Sequence, residues 1–132
     1  MHNMNLEKLN KFLLDLDNKY DINSGACALI AYMLSSWCVK NNISYKTKLY
    51  VDYRDYSCIW HYALIINDIE INPSTYKYHE FEEEKYFIED NWTPQMFKEK
   101  YEWTLNDYNY WKIHNEKTVI KIFEDFLNNI EI

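Results

Sequence analysis

A chain of 132 residues, 48% hydrophobic and 18% aromatic, is long enough to bury the core of one compact domain and too short for two. A net charge of −7, with Arg54 the one arginine, argues against phosphate-backbone recognition, and no apolar run approaches the roughly 20 residues that span a bilayer. Three cysteines at no scaffold spacing argue against a disulfide framework, and an N-terminus without a charged-then-apolar leader predicts a soluble, cytoplasmic protein.

Leu6, Leu9, Leu13, Leu16 and Tyr20 recur at three- and four-residue intervals, which predicts an amphipathic helix over residues 4 to 19. Asp21 to Ser24 break that pattern. Asn23 and Ser24 are candidate caps for a second helix running from Gly25 to about Asn41. Gly25 is the only glycine in the chain, and its place two residues before Cys27 suggests a backbone need rather than loop filler. Cys27 then falls in the first helical turn, where orphan N–H groups and the helix dipole favour a thiolate. It heads a stripe with Ile30, Ala31, Leu34 and Cys38, so its thiol points toward whatever the helix covers.

Strict alternation makes residues 45 to 53 a half-buried strand, with Tyr45, Thr47, Leu49, Val51 and Tyr53 on one side. Residues 54 to 57 read as a turn. The β-rich run from Ile59 to Ile66, broken by Asn67-Asp68 and resumed by Ile69-Glu70-Ile71-Asn72 before Pro73, predicts a two-residue hairpin. In that register Ile66 pairs with Ile69, Leu64 with Ile71 and Ala63 with Asn72, and His61 lies opposite Ser74. Period-two alternation places His61, Ala63, Glu70 and Asn72 on one face. The Asn72 carboxamide is then expected to reach the His61 imidazole over the small Ala63, leaving room for an approaching helix.

The acidic segment from 79 to 90 reads as a solvated face or loop. Thr93-Pro94 predicts a cap and first turn for a short helix carrying Met96, Phe97 and Tyr101. Residues 108 to 112 read as a further strand. From Asn115, the spacing of Val119, Ile120, Phe123, Phe126, Leu127 and Ile130 predicts a closing amphipathic helix. The expected fold is a single α+β domain over residues 1–132, with N-terminal helices packed on a small antiparallel sheet and a C-terminal helix.

A cysteine at a helix start, a histidine on a strand and an asparagine at the end of the next strand are the parts of a Cys-His-Asn nucleophilic site. The pieces Gly25-x-Cys27-x-x-x-Ala31, His61 on a strand, and Ile71-Asn72-Pro73-Ser74 resemble the transglutaminase-core branch of the papain-like cysteine fold. The resemblance covers residues 23 to 75. That branch commonly has Asp where this chain has Asn72, and an aromatic residue where it has Ala63. The resemblance implies Cys27 as nucleophile, His61 as base and Asn72 as its orienting partner, acting on an amide or ester bond of a protein or peptide through a thioester. Asn23, Gly25 and Trp60 are the candidate oxyanion and substrate-binding residues.

Neither a cofactor nor a metal is expected. Cys58-x-x-His61 has a ligand-like spacing, but positions three apart on a strand point to opposite faces. A reading from another class makes the chain a catalytically inactive papain-like module that binds or inhibits a protein, since 13 Tyr and 5 Trp exceed what a small core needs. A low-GC coding bias favouring Tyr, Asn, Lys and Ile is an alternative cause of the same excess.

Overall fold

Leu6, Leu9, Leu13 and Leu16 form one buried stripe of the first helix, α1 (Asn3–Tyr20). The computed structural model describes residues 3–23, 25–52, 54–73, 87–104 and 109–131. Past α1 the chain turns at Asp21 (φ 55°) and Gly25 (φ 120°) into the second helix, α2 (Cys27–Lys40). The φ of Gly25 lies where a side chain would clash, so the sole glycine is spent on bringing the chain into α2. The helix is capped by Ala26, with no side-chain cap. Asn23 therefore does not serve as the expected cap, because its side chain is engaged elsewhere; Ser24 lies outside the described residues.

Four antiparallel strands follow: β1 (Lys46–Asp52), β2 (Asp55–Ile66), β3 (Ile69–Ile71) and β4 (Phe87–Asp90), in the spatial order β3-β2-β1-β4. Thr47, Leu49 and Val51 of β1 and Tyr62, Leu64 and Ile66 of β2 are buried on one face. The apolar members of that face form one core with Ile30, Ala31, Leu34 and Cys38 of α2. The Tyr62 ring stands edge-on to Phe97, 6.0 Å away, on the third helix, α3 (Pro94–Thr104). Thr93 opens α3 as expected, its hydroxyl accepting the Met96 N–H at 3.4 Å.

Three elements differ from expectation. The 54–57 turn is shorter, since β2 already begins at Asp55: the Asp52 carboxylate takes the Arg54 N–H at 2.8 Å and its guanidinium at 2.8 and 3.0 Å, tightening the reversal. Phe87–Asp90, at the end of the acidic segment, is an edge strand whose residues are all exposed, paired to β1 from Thr47↔Asp90 to Tyr50↔Phe87. Residues 79–86 lie outside the described residues. Where a strand was expected over 108–112, residues 109–112 are instead the start of a long helix, α4 (Asn109–Asn129), and residue 108 lies outside the described residues. Buried Trp111 is in register with Val119, Phe123 and Leu127 at four-residue multiples, so the helical period already begins there. Trp111 Nε1 donates to the Tyr20 carbonyl at 2.8 Å, and Phe12 stacks on Phe126 at 4.0 Å, which fastens α4 to α1.

The β2–β3 hairpin has the expected register, with Ile66↔Ile69, Ile65↔Glu70 and Leu64↔Ile71. Pairing stops there. Asn72 takes a φ of 60° and leaves the sheet, so it does not pair with Ala63; Ser74 lies outside the described residues. Asn67 and Asp68, at φ 51° and 63°, form the two-residue turn, and a left-handed residue with a side chain is strained by about 1–2 kcal/mol. Asp68→Gly is expected to raise the unfolding midpoint in urea by relieving that strain, and Asp68→Val to lower it. An unchanged midpoint in both would mean that the hairpin turn contributes nothing to stability.

Candidate active site

The first turn of α2 leaves backbone N–H groups without helical partners, and two of them, those of Cys27 and Ala28, favour the anion of the Cys27 sulfur. The third donor is the backbone N–H of Tyr62. Tyr62 lies two residues beyond Leu64, the last β2 residue paired with β3. Its N–H therefore points to the side where β3 has already turned away, and the sulfur takes the place of the missing strand. These donors and the helix dipole favour a thiolate, yet burial dominates and pushes the Cys27 thiol up from 9.0 to about 11; the Asp17 carboxylate adds to the rise. The expected resting thiolate is thus replaced by a neutral thiol, because Cys27 is only 5% exposed.

His61 is buried on β2 at 3% exposure, paired with Tyr50, whose ring tilts against the imidazole at 5.6 Å. Its Nε2 lies 2.6 Å from the backbone carbonyl of Asn72. A carbonyl only accepts, so Nε2 carries a proton, and in the neutral ring the lone pair belongs to Nδ1. Asn72 is therefore the partner of His61 as expected, but through its main chain. Its carboxamide is instead exchanged with that of Asn23: Asn72 Nδ2 donates to Asn23 Oδ1 at 3.1 Å and Asn23 Nδ2 to Asn72 Oδ1 at 3.3 Å. Asn23, the candidate oxyanion donor, is 5% exposed and its N–H is held by Asp17 Oδ1 at 2.9 Å.

The arrangement of faces also differs from expectation. Cys27 meets β2 at its edge, through the Tyr62 N–H, and His61, one residue along the strand, shares a face with Tyr50. On that face Ala63 is small enough for two side chains of β1 to reach over it to β3. Lys48 Nζ lies 2.6 Å from Glu70 Oε1 and Tyr50 Oη donates to Glu70 Oε2 at 2.6 Å. The space expected to admit a helix holds this polar cluster instead. Burial and then the Glu70 carboxylate raise the Tyr50 phenol, which keeps its proton for that bond. Trp60 sits where β2 shifts register between Tyr50 and Val51, and is 38% exposed. Gly25 is half-buried and makes the turn described above.

Asn10, Asp17, Lys48, Tyr50 and Glu70 belong to this region and were not singled out by sequence. The β1 alternation set Lys48 and Tyr50 apart from the Thr47, Leu49 and Val51 side, and the hairpin register put Glu70 on the face of His61, with no register joining the two. The β1–β2 pairing that carries Lys48 and Tyr50 over Ala63 to Glu70 was missing. Among the described residues no group of three or more His, Cys, Asp or Glu side chains is placed to hold a metal ion, and no helix is long and apolar enough to cross a membrane. Cys58 is exposed while His61 is buried, so the pair does not converge. Comparison of the chain with protein-family models, with curated proteins and with solved structures finds no match.

The raised Cys27 pKa gives a pH dependence of definite sign. Its proton is bound more tightly in the folded than in the unfolded chain, so the contribution to stability is complete below about 9 and is lost as pH rises toward about 11. Unfolding free energies from urea titrations are expected to fall over that interval, by on the order of 1 kcal/mol per pH unit, and less steeply in Cys27→Ser. Equal slopes in the two proteins would show that Cys27 ionises in the folded state as easily as in the unfolded one.

Proposed function

We propose that the chain is a thiol-dependent hydrolase or acyl transferase acting on an amide or ester bond of a protein or peptide substrate, on a minimal transglutaminase-core-like, papain-like scaffold. The observation that carries this reading is the convergence of the Cys27, Ala28 and Tyr62 backbone N–H groups on one sulfur, beside the strand that bears His61. Donors gathered on a nucleophile at a helix start also suit the oxyanion that forms next to it. Because the thiol is neutral at rest, deprotonation belongs to the chemical step rather than to a standing ion pair. Cys27 attacks the carbonyl carbon while its proton passes to His61 Nδ1, and His61 returns that proton to the leaving amine or alcohol as the C–N or C–O bond breaks. Water or an amine then resolves the thioester. Asn72 keeps the proton on Nε2, which leaves Nδ1 as the base.

The second reading, an inactive papain-like module that binds or inhibits a protein partner, is favoured by the same burial that raises the Cys27 thiol. One experiment separates the two. On incubation with p-nitrophenyl acetate at pH 7.5, the enzyme reading expects an acyl adduct on Cys27, located by mass spectrometry. Its formation should slow about 100-fold or more in His61→Ala, as for loss of a general base. Acylation confined to the exposed Cys58, or equal Cys27 rates with and without His61, overturns the enzyme reading and leaves the module.

A further inference from the structure

The carboxamide of Asn10, in the middle of α1, bonds to two backbone groups of one strand. Its Nδ2 donates to the Glu70 carbonyl at 2.9 Å and its Oδ1 accepts the Asn72 N–H at 2.8 Å. Both groups point outward from β3, on the side away from β2, since Ile69 and Ile71 direct theirs into the β2 ladder. Donating to the residue before Ile71 and accepting from the residue after it is the pattern by which one residue of a parallel strand bonds its neighbour. Asn10 thus stands in for a strand at the edge of β3, and does so at the point where the chain turns away. Asn is a poor residue for a helix interior, about 0.7 kcal/mol worse than Ala, so its place between Leu9 and Leu13 is not explained by helix formation.

We infer that Asn10 is a positioning residue: by holding the Asn72 N–H it sets the left-handed turn that aims the Asn72 carbonyl at His61, and so fixes the imidazole as its Nε2–H tautomer. Asn72 at φ 60° has its N–H on Asn10, its carbonyl on His61 Nε2 at 2.6 Å and its side chain on Asn23. Released from Asn10, the strand end is free to extend and the carbonyl to swing off the ring. Nδ1 then loses its claim to the lone pair. The bearing of this on catalysis rests on the thiol reading above, but the tautomer itself does not.

The test reads the ring nitrogens of His61 by 15N–1H correlation in the full chain, at a pH where the ring is neutral. The wild type should show the Nε2–H form. Asn10→Leu, which keeps the volume and removes both bonds, should move the tautomer ratio toward Nδ1–H by about fivefold, the effect of one net hydrogen bond. Asn10→Asp still accepts the Asn72 N–H and should retain the wild-type ratio. Leu9→Ala weakens the packing of α1 without touching Asn72 and should retain it too. If Asn10→Leu does not fold, Asn10→Ala is read in its place. A wild-type ratio in the folded Asn10→Leu or Asn10→Ala protein, or an equal shift in Leu9→Ala, overturns the inference. Acylation of Cys27 measured on the same proteins keeps the two readings apart. Tautomer control by Asn10 with no acylation in any variant sinks the thiol reading alone, whereas His61-dependent acylation with an unshifted ratio sinks this inference alone.

Discussion

The left-handed turn at Asn72 is the junction on which the rest of the molecule depends. Its three polar groups reach three separate parts of the chain: α1 through Asn10, β2 through His61, and the link between α1 and α2 through Asn23. All of this is buried or half-buried, where an unsatisfied donor or acceptor costs about 1–3 kcal/mol. The groups are therefore mutually dependent, and moving one leaves the others exposed to that penalty. β3 can be as short as three residues because this junction, rather than a longer ladder, fixes where it ends.

Where β3 ends decides what becomes of Cys27. A strand continuing past Ile71 would claim the Tyr62 N–H and close the edge of β2. Because the chain turns away, that N–H is left for the sulfur, and the N-terminus of α2 lies against the gap. The contest at the sulfur is then between oriented donors and desolvation. Two first-turn N–H groups and one strand N–H stabilise the anion, but burial removes more than they restore, and Asp17 works in the same direction as burial. A helix start lowers a thiol pKa only where water or a cation also reaches it.

The long-period features were legible in the sequence and the short-range substitutions were not. The leucine stripe of α1, the alternation of β1 and the Asn67-Asp68 register follow from single-element periodicities, which burial alone enforces. The sole glycine marked a positive φ, because no other residue occupies φ 120° at little strain. The hairpin register was read correctly as far as Leu64↔Ile71, and His61 and Asn72 do meet, although Asn72 has by then left the ladder. It failed at the step from register to contact. A carboxamide and a main-chain carbonyl of the same residue offer the imidazole the same acceptor, and sequence cannot tell which is presented. The faces failed for a related reason. Periodicity shows that Thr47, Leu49 and Val51 are buried, but the burial of His61 and Ala63 on the other side of the sheet leaves no apolar signature. Trp111 shows the reverse error, an aromatic run read as a strand where a helical stripe had already begun.

Asparagine rather than aspartate at position 72 has a physical reason in this chain. With the imidazole held by the main-chain carbonyl, the side chain is released from that duty and forms a reciprocal pair with Asn23, each amide giving one hydrogen bond and taking one. An aspartate there would accept from Asn23 Nδ2 but offer nothing to Asn23 Oδ1, and two oxygens would face each other in a buried space. It would also bring a second carboxylate toward a sulfur that already feels Asp17. A carboxylate at position 72 would thus add to the rise of the Cys27 thiol, which burial already holds in its neutral form. A neutral amide at position 72 and an imidazole held by a main-chain carbonyl add no charge to the buried space around the neutral thiol at position 27.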